Sequence, residues 1–569
     1  MTFSAEVRVA SAALPVGSGR GLLRWICTSN PFYVLSAGLF LAGLWISFGA
    51  QFEEVQTWAL MSGLAGYTLL LAVTACLLVR FGNVWDDVRT ILLLVVLMFL
   101  ATSVTFDEVL VFDPVRGFFC YIIGLVFAIS VSEGLLRGIR LELPAGFRLP
   151  YHLILALFFL YPLALRPLLA DPHGEALLWG LFGFSPIAGL LFLTLLPAIR
   201  RGPDYIRDNG SPWRWPLYPW VLFGLLALAV PARAFLLCWS MQLLDMSELQ
   251  RVMFGPFFLA PFGLALAVLL MEIGIVSKSR IVQWIALVIP FFLVALTLFC
   301  HRDDPIYRHF LSVFTARVGE PLSILLLAAA LFFAYAAWRR VALSTEALTA
   351  VLLMLAFVGP DTLDEHRLTP PQTTPLLAAA FLQLALGIDG RNSRRCLAGA
   401  GFLLAAVLTL PEEVHESFPV EIVVFHLAVF AGLIIGALFN DGLARLLRFL
   451  ASGLIVLACL AVMMGRADAS ASVPPTMLLL YPLVMAMLLA VYGRLFGERS
   501  FVVAAGLILA GWLSLAGWRG YCWLRQRVLG LDHLLLSLVL FAVAVLVSLA
   551  KSRIRLRWLA ARLSMNRQQ

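Results

Sequence analysis

From Pro31 onward the chain is a near-continuous succession of apolar runs, separated by only a few charged, glycine or proline residues. A helix needs about 20 apolar residues to cross a bilayer, and runs of that length read as membrane spans. No other feature constrains the fold as strongly. Of the 569 residues 62% are hydrophobic and 13% charged, roughly half the charge of a soluble protein, which carries about 25%. A water-soluble globular chain is excluded. So is disorder, which needs low hydrophobicity and high charge. Eighteen spans would occupy about 360 residues and leave little for soluble domains. The expected class is an all-α integral membrane protein, a polytopic bundle of about 18 transmembrane helices with short loops.

The runs place spans near 32–50, 57–79, 88–105, 115–137, 150–170, 177–199, 216–240, 252–276 and 281–300. The remainder fall near 321–338, 342–359, 374–388, 395–410, 421–439, 446–464, 475–493, 500–517 and 532–550. The pair 374–388 and 395–410 is short, and as one re-entrant pair it lowers the count to 16. The organisation is a cytoplasmic segment 1–30, a transmembrane domain 31–550 and a basic cytoplasmic tail 551–569. Residues 1–30 are polar and basic, so the first span is expected to be an uncleaved anchor.

Orientation follows from how charge divides. With the N-terminus inside, 29 of the 41 Lys and Arg fall in cytoplasmic segments and 11 outside, with Arg233 within a span. The acids divide the other way, 11 inside and 21 outside, with Glu133 in a span. A sustained basic excess on one face is the positive-inside pattern, and a single miscounted span would destroy it. Both termini are therefore expected in the cytoplasm. Only Lys278 and Lys551 are lysines, a bias that suggests a high-GC bacterial genome and a location in the bacterial inner membrane. The net charge of +8 then reflects topology, and no nucleic-acid partner is expected.

Motif-borne chemistry is sparse. The eight cysteines are scattered without C-x-x-C, so neither a zinc site nor a disulfide framework is expected. There is no Walker A sequence, no G-x-S-x-G and no paired mid-span histidine for haem. No cofactor and no metal is expected. Charges within spans are functional candidates because they are costly there. Arg233, just after Pro231, has two readings: it snorkels to the outer interface, or it binds an anion inside the bundle. Glu133 and Arg137 read as an i,i+4 pair, Glu272 as reaching headgroup water, and His426 as a hydrogen-bonded interior histidine.

The outer connections hold Asp107, Glu108 and Asp113; His301, Asp303 and Asp304; Asp364, Glu365 and His366; and Glu412, Glu413 and His415. Together with Arg233 these are the candidate substrate-binding residues. Carboxylates and imidazoles converging at a membrane surface are suited to a divalent cation or to acid–base work, although none has H-E-x-x-H spacing. The plain alternative is that short outer loops must be polar. Residues 307–314 are expected to form a helix lying on the membrane surface, and Arg519, Arg525 and Arg527 a basic outer loop.

Glu53-Glu54 after the first span and Asp107-Glu108 after the third resemble the placing of acids in lipid-dependent glycosyltransferases of the GT-C fold. The resemblance covers these two pairs alone. The first outer loop, long and partly helical in that family, is about seven residues here, and no soluble C-terminal domain follows. It implies an integral membrane enzyme acting at the outer face on a lipid-linked substrate. The favoured reading is a carrier or lipid-handling and export protein with an outer-facing polar site, because many spans, proline-broken helices and little extramembrane mass suit it. The third is a non-catalytic subunit or scaffold with partner membrane subunits. In every case the lipid bilayer is a partner, and a lipid-linked or small-molecule substrate fits the first two.

Overall fold

A computed structural model describes residues 31–565, apart from 49–53, 171–174, 208, 214, 216, 242–253, 298–304, 359–370, 411–419, 465–474 and 529. The described residues contain helices and turns and no strand. Each apolar run marked in the sequence falls on a helix. Thirteen helices among the described residues are long and apolar enough to cross a membrane, and four shorter apolar helices accompany them. The chain is a multi-pass helical membrane protein.

Two compact units divide it, Met1–Pro375 and Leu376–Gln569. The first holds α1 (Phe32–Phe48), α2 (Glu54–Leu77), α3 (Trp85–Phe112), α4 (Pro114–Gly138), α5 (Ala145–Leu165), α6 (Glu175–Leu193) and the short α7 (Leu196–Arg201). It continues through α8 (Leu217–Ser240), α9 (Ala260–Val276), α10 (Arg280–Thr297), α11 (Pro305–Arg317), α12 (Pro321–Trp338) and α13 (Ser344–Ala356). Its interior is rich in phenylalanine: Phe99, Phe147, Phe159 and Phe184 are all buried. Large rigid rings fill the space between helices that no hydrophobic effect holds together in lipid, where packing itself is the attraction. At Gly124 the approach is tight: a Cβ there would lie 2.4 Å from the Phe106 ring, so α4 meets α3 only because that position is glycine.

The second unit begins within α14 (Thr373–Asp389) and holds α15 (Ser393–Leu408), α16 (Val420–Leu438), α17 (Gly442–Met463), α18 (Pro475–Phe496), α19 (Arg499–Arg527) and α20 (Leu531–Met565). Its core joins Val429, Leu433, Ile455, Leu489, Phe501 and Ile508. His426 Nδ1 bonds the Ile422 carbonyl at 2.6 Å and its Nε2 meets the Tyr481 hydroxyl at 3.0 Å, so it is hydrogen-bonded as the sequence suggests but half-buried rather than interior. Arg519, Arg525 and Arg527 lie in the last turns of α19 rather than in a loop, with Arg525 paired to Asp532 at 3.2 Å.

Several helices end in the same way. Asn83, Arg140, Lys278, Arg340 and Arg391 take positive φ just past a helix. At Arg140 the Leu141 N–H returns to the Leu136 carbonyl, and at Arg340 the Val341 N–H returns to Ala336. This is the Schellman closure, in which the left-handed residue is usually glycine. Arg and Lys there place a cation against the partial negative charge of the helix C-terminus.

The helix expected over 307–314 exists as α11, with one face packed inward and Arg308, His309, Ser312, Thr315 and Arg317 exposed on the other. Phe310 and Phe314 are buried among Trp179, Phe257 and Phe258. Aromatic partners inside the unit take the apolar face that would otherwise lie on lipid.

Candidate functional site

Asp107 was expected in a loop after a span ending near 105. Instead α3 runs on to Phe112, and the side chains of Asp107 and Arg233 are both wholly buried. Arg233 sits on α8, 126 residues away, and presents both terminal nitrogens to the carboxylate: Nη1 to Oδ2, and Nη2 to Oδ1 at 2.8 Å. Ser240, two turns further along α8, donates to Oδ2 at 3.0 Å, and the Tyr121 hydroxyl of α4 donates to Oδ1. Ser103 extends the network by donating to the Phe158 carbonyl at 2.9 Å, so α3, α4, α5 and α8 are all tied here.

This geometry bears on the two readings of Arg233. It does not snorkel, because a carboxylate on the neighbouring helix neutralises it inside. The anion it binds is Asp107. A carboxylate offers about four acceptor positions, and here four donor contacts occupy them. In this arrangement Asp107 has no lone pair and no exposed surface for a substrate or a proton in transit. Glu108, one residue on, is half-buried. Asp113 caps α4, accepting from the Val115 and Arg116 amides at 3.1 Å each, a sufficient local reason for an acid before Pro114.

At the other end of α3 lies a different polar site. Arg89 and Asp107 are eighteen residues apart on this helix, about 27 Å along the axis. That is close to the thickness of a bilayer's hydrocarbon core, about 30 Å. Here Glu133 of α4 accepts from Arg148 Nε at 2.8 Å and from the same side chain's Nη2, and meets His152 Nε2 at 2.8 Å. Arg137, the expected i,i+4 partner, stands 4.0 Å off with its side chain 80% exposed. The local pair therefore exists at the limit of an ion pair, and the helix-to-helix pair is the closer one.

Above this pair opens a cleft of about 800 Å³, lined by Arg137, Arg140, Arg148, Glu142 and Asp204 among others. Its wall is built from two interlocked connections. The Glu142 amide donates to the Asn209 carbonyl at 2.9 Å, Tyr218 donates to the Glu142 carbonyl at 3.2 Å, and buried Asn209 bonds the carbonyls of Ile206 and Trp213. Gly210 takes a φ of 76°, and a Cβ there would meet the Arg140 carbonyl oxygen at 2.2 Å. Against the cleft lies an apolar cavity of about 70 Å³, lined by Leu92, Val96, Leu135 and Leu222 with Arg89 at its edge. The two share Leu136, Leu141 and Leu143.

A third cluster surrounds Glu272. Its side chain is wholly buried rather than reaching headgroup water, because it receives Arg339 through two bonds of 2.9 Å and Tyr335 at 2.6 Å, with Arg200 at 3.4 Å. His301, Asp303, Asp304, Asp364, Glu365, His366, Glu412, Glu413 and His415 lie outside the described residues. Among the described residues no group of three or more His, Cys, Asp or Glu is placed to hold a metal.

Sequence reasoning missed Tyr121, Ser240, Arg148, His152 and Arg339. Arg148 and His152 carried a usable signal, a spacing of four that puts both on one helix face toward Glu133. Ser240 and Tyr121 carried none. Compared with protein-family models, curated proteins and solved structures, the chain matches none of them.

Proposed function

We propose that this protein is a carrier or lipid-handling protein of a bacterial inner membrane, and that it works on an amphiphile. The observation that carries the reading is that an apolar cavity and a charged cleft lie against each other and share three lining leucines. A polar solute has no use for the first compartment and a hydrocarbon none for the second. Prolines inside α5, α6, α8 and α10 interrupt helix hydrogen bonding and fit helices that shift against one another.

The proposed topology has about eighteen spans and both termini in the cytoplasm. The turns at Asn83, Arg140, Lys278, Arg340 and Arg391 all fall at even-numbered connections of that count, so the cleft opens to the cytoplasmic side. Apart from Asp107, Glu108, Asp113 and Arg233, the residues of the expected outer-facing polar site lie outside the described residues. The outer-face enzyme reading loses its best carboxylate, since Asp107 is saturated. A subunit role is favoured by one observation: every side chain from Asp532 to Lys551 of α20 is exposed, leaving an apolar face to lipid or to a partner helix.

Native mass spectrometry of the protein, extracted gently from its own membrane, tests the reading. A retained amphiphile supports it. A retained polypeptide without any amphiphile moves the assignment to a subunit of a complex.

A further inference from the structure

The arrangement of charge around the cavity narrows the amphiphile, an inference that rests on the lipid-handling reading. The apolar compartment has room for about five to seven groups of methylene size, enough to seat the beginning of an acyl chain. Arg89 lines this compartment but not the cleft, while Arg137 and Arg140 line the cleft. Glu133 is satisfied by Arg148 and His152. Among the described residues Arg89 and Arg140 have no ion-pair partner, and neither do Glu142 and Asp204, two acids that line the cleft beside the paired Glu133.

A purely anionic headgroup would leave Glu142 and Asp204 facing like charge. A cationic amphiphile would do the same to the arginines. We infer that the site takes a zwitterionic lipid whose phosphate lies next to its chains and whose primary ammonium lies beyond it. The chain enters the compartment bounded by Leu92, Val96 and Leu135. The phosphate stops at the shared leucines, between Arg89 and Arg140, and the ammonium extends into the cleft toward Glu142 and Asp204. Arginine suits the phosphate because its fork matches two oxygens at once. A small ammonium keeps three donors for the carboxylates, which a trimethylated one lacks.

The test uses the full-length protein in mixed micelles containing equal amounts of phosphatidylethanolamine, phosphatidylglycerol and phosphatidylcholine with identical chains. Bound lipid is counted by native mass spectrometry. The expected result is an excess of phosphatidylethanolamine of about fivefold over either competitor. Glu142→Gln with Asp204→Asn should abolish that excess while lipid is still retained. Arg89→Gln with Arg140→Gln should reduce all three lipids, and so should Val96→Phe, which narrows the compartment. All four polar positions are exposed, so those variants should fold.

Equal or greater retention of phosphatidylglycerol, unmoved by the acid substitutions, would overturn the zwitterion assignment and leave the lipid-handling reading standing. Retention indifferent to Val96→Phe and to the arginine pair would overturn both. Free phosphoethanolamine at millimolar concentration should fail to displace the lipid. Displacement that persists in Val96→Phe would assign the cleft to a soluble headgroup compound and refute an amphiphile.

Discussion

Asp107–Arg233 and Glu133–Arg148 are chemically alike, each a carboxylate held by two nitrogens of an arginine on another helix. Their surroundings separate them. The first pair is wholly buried, whereas in the second the arginine side chain is 45% exposed and the carboxylate 18%. In the sealed site every acceptor position is filled by the protein, which makes it a lock between α3, α4 and α8. In the open site the pair settles one carboxylate and leaves Arg137, Arg140, Glu142 and Asp204 around a cleft. Charge near a membrane is thus no guide to function by itself. What matters is whether protein donors use it up.

Breaking the sealed pair should have the largest effect. Asp107→Asn or Arg233→Gln leaves an unmatched buried group and should cost about 3–5 kcal/mol, read as a lower midpoint in detergent or SDS unfolding. The combined Asp107→Leu and Arg233→Met variant should recover most of that loss, because replacing both partners with apolar groups is often neutral. If the double variant is no better than the singles, Asp107 has a role beyond holding Arg233. Glu272→Gln sharpens the comparison. Its carboxylate is buried but Arg339 and Arg200 are partly exposed, so an intermediate loss of about 1.5–3 kcal/mol is expected in the same assay. Glu133→Gln should cost about 0.2–1 kcal/mol, shrinking as salt is added. A loss as large as that of Asp107→Asn would mean that the open pair is equally structural.

Asp441 gives the smallest effect and a pH dependence. It caps α17, and the Ser393 hydroxyl and the Ala444 amide hold its carboxyl below the usual carboxylate range. A lowered folded pKa means that its contribution is fully present above the unfolded value of about 3.9. The contribution is lost as pH falls through the lower folded value. Unfolding midpoints of the native protein and Asp441→Asn, compared from pH 6 to pH 3, should differ in that direction. Parallel curves would contradict the assignment.

The sequence made the positions of the helices legible because 20-residue apolar runs have one stable solution in lipid. Their ends were less legible. Asp107 and Glu108 look like a loop until Arg233 is placed beside them, and a partner 126 residues away leaves no local trace. Glu272 was misjudged for the same reason, since Tyr335 and Arg339 belong to another helix. The cleft was legible only as a basic excess. Its shape depends on Gly210 and Asn209, whose roles follow from a turn geometry that composition does not encode.

The most direct test of the amphiphile reading is photolabelling with a phosphatidylethanolamine carrying a diazirine early in its acyl chain, followed by peptide mapping. The site described here predicts labels concentrated on the α3 segment Leu92–Val96 and on Leu135–Leu143. Labels spread over the lipid-facing helices, with α20 marked and those two segments bare, would contradict it.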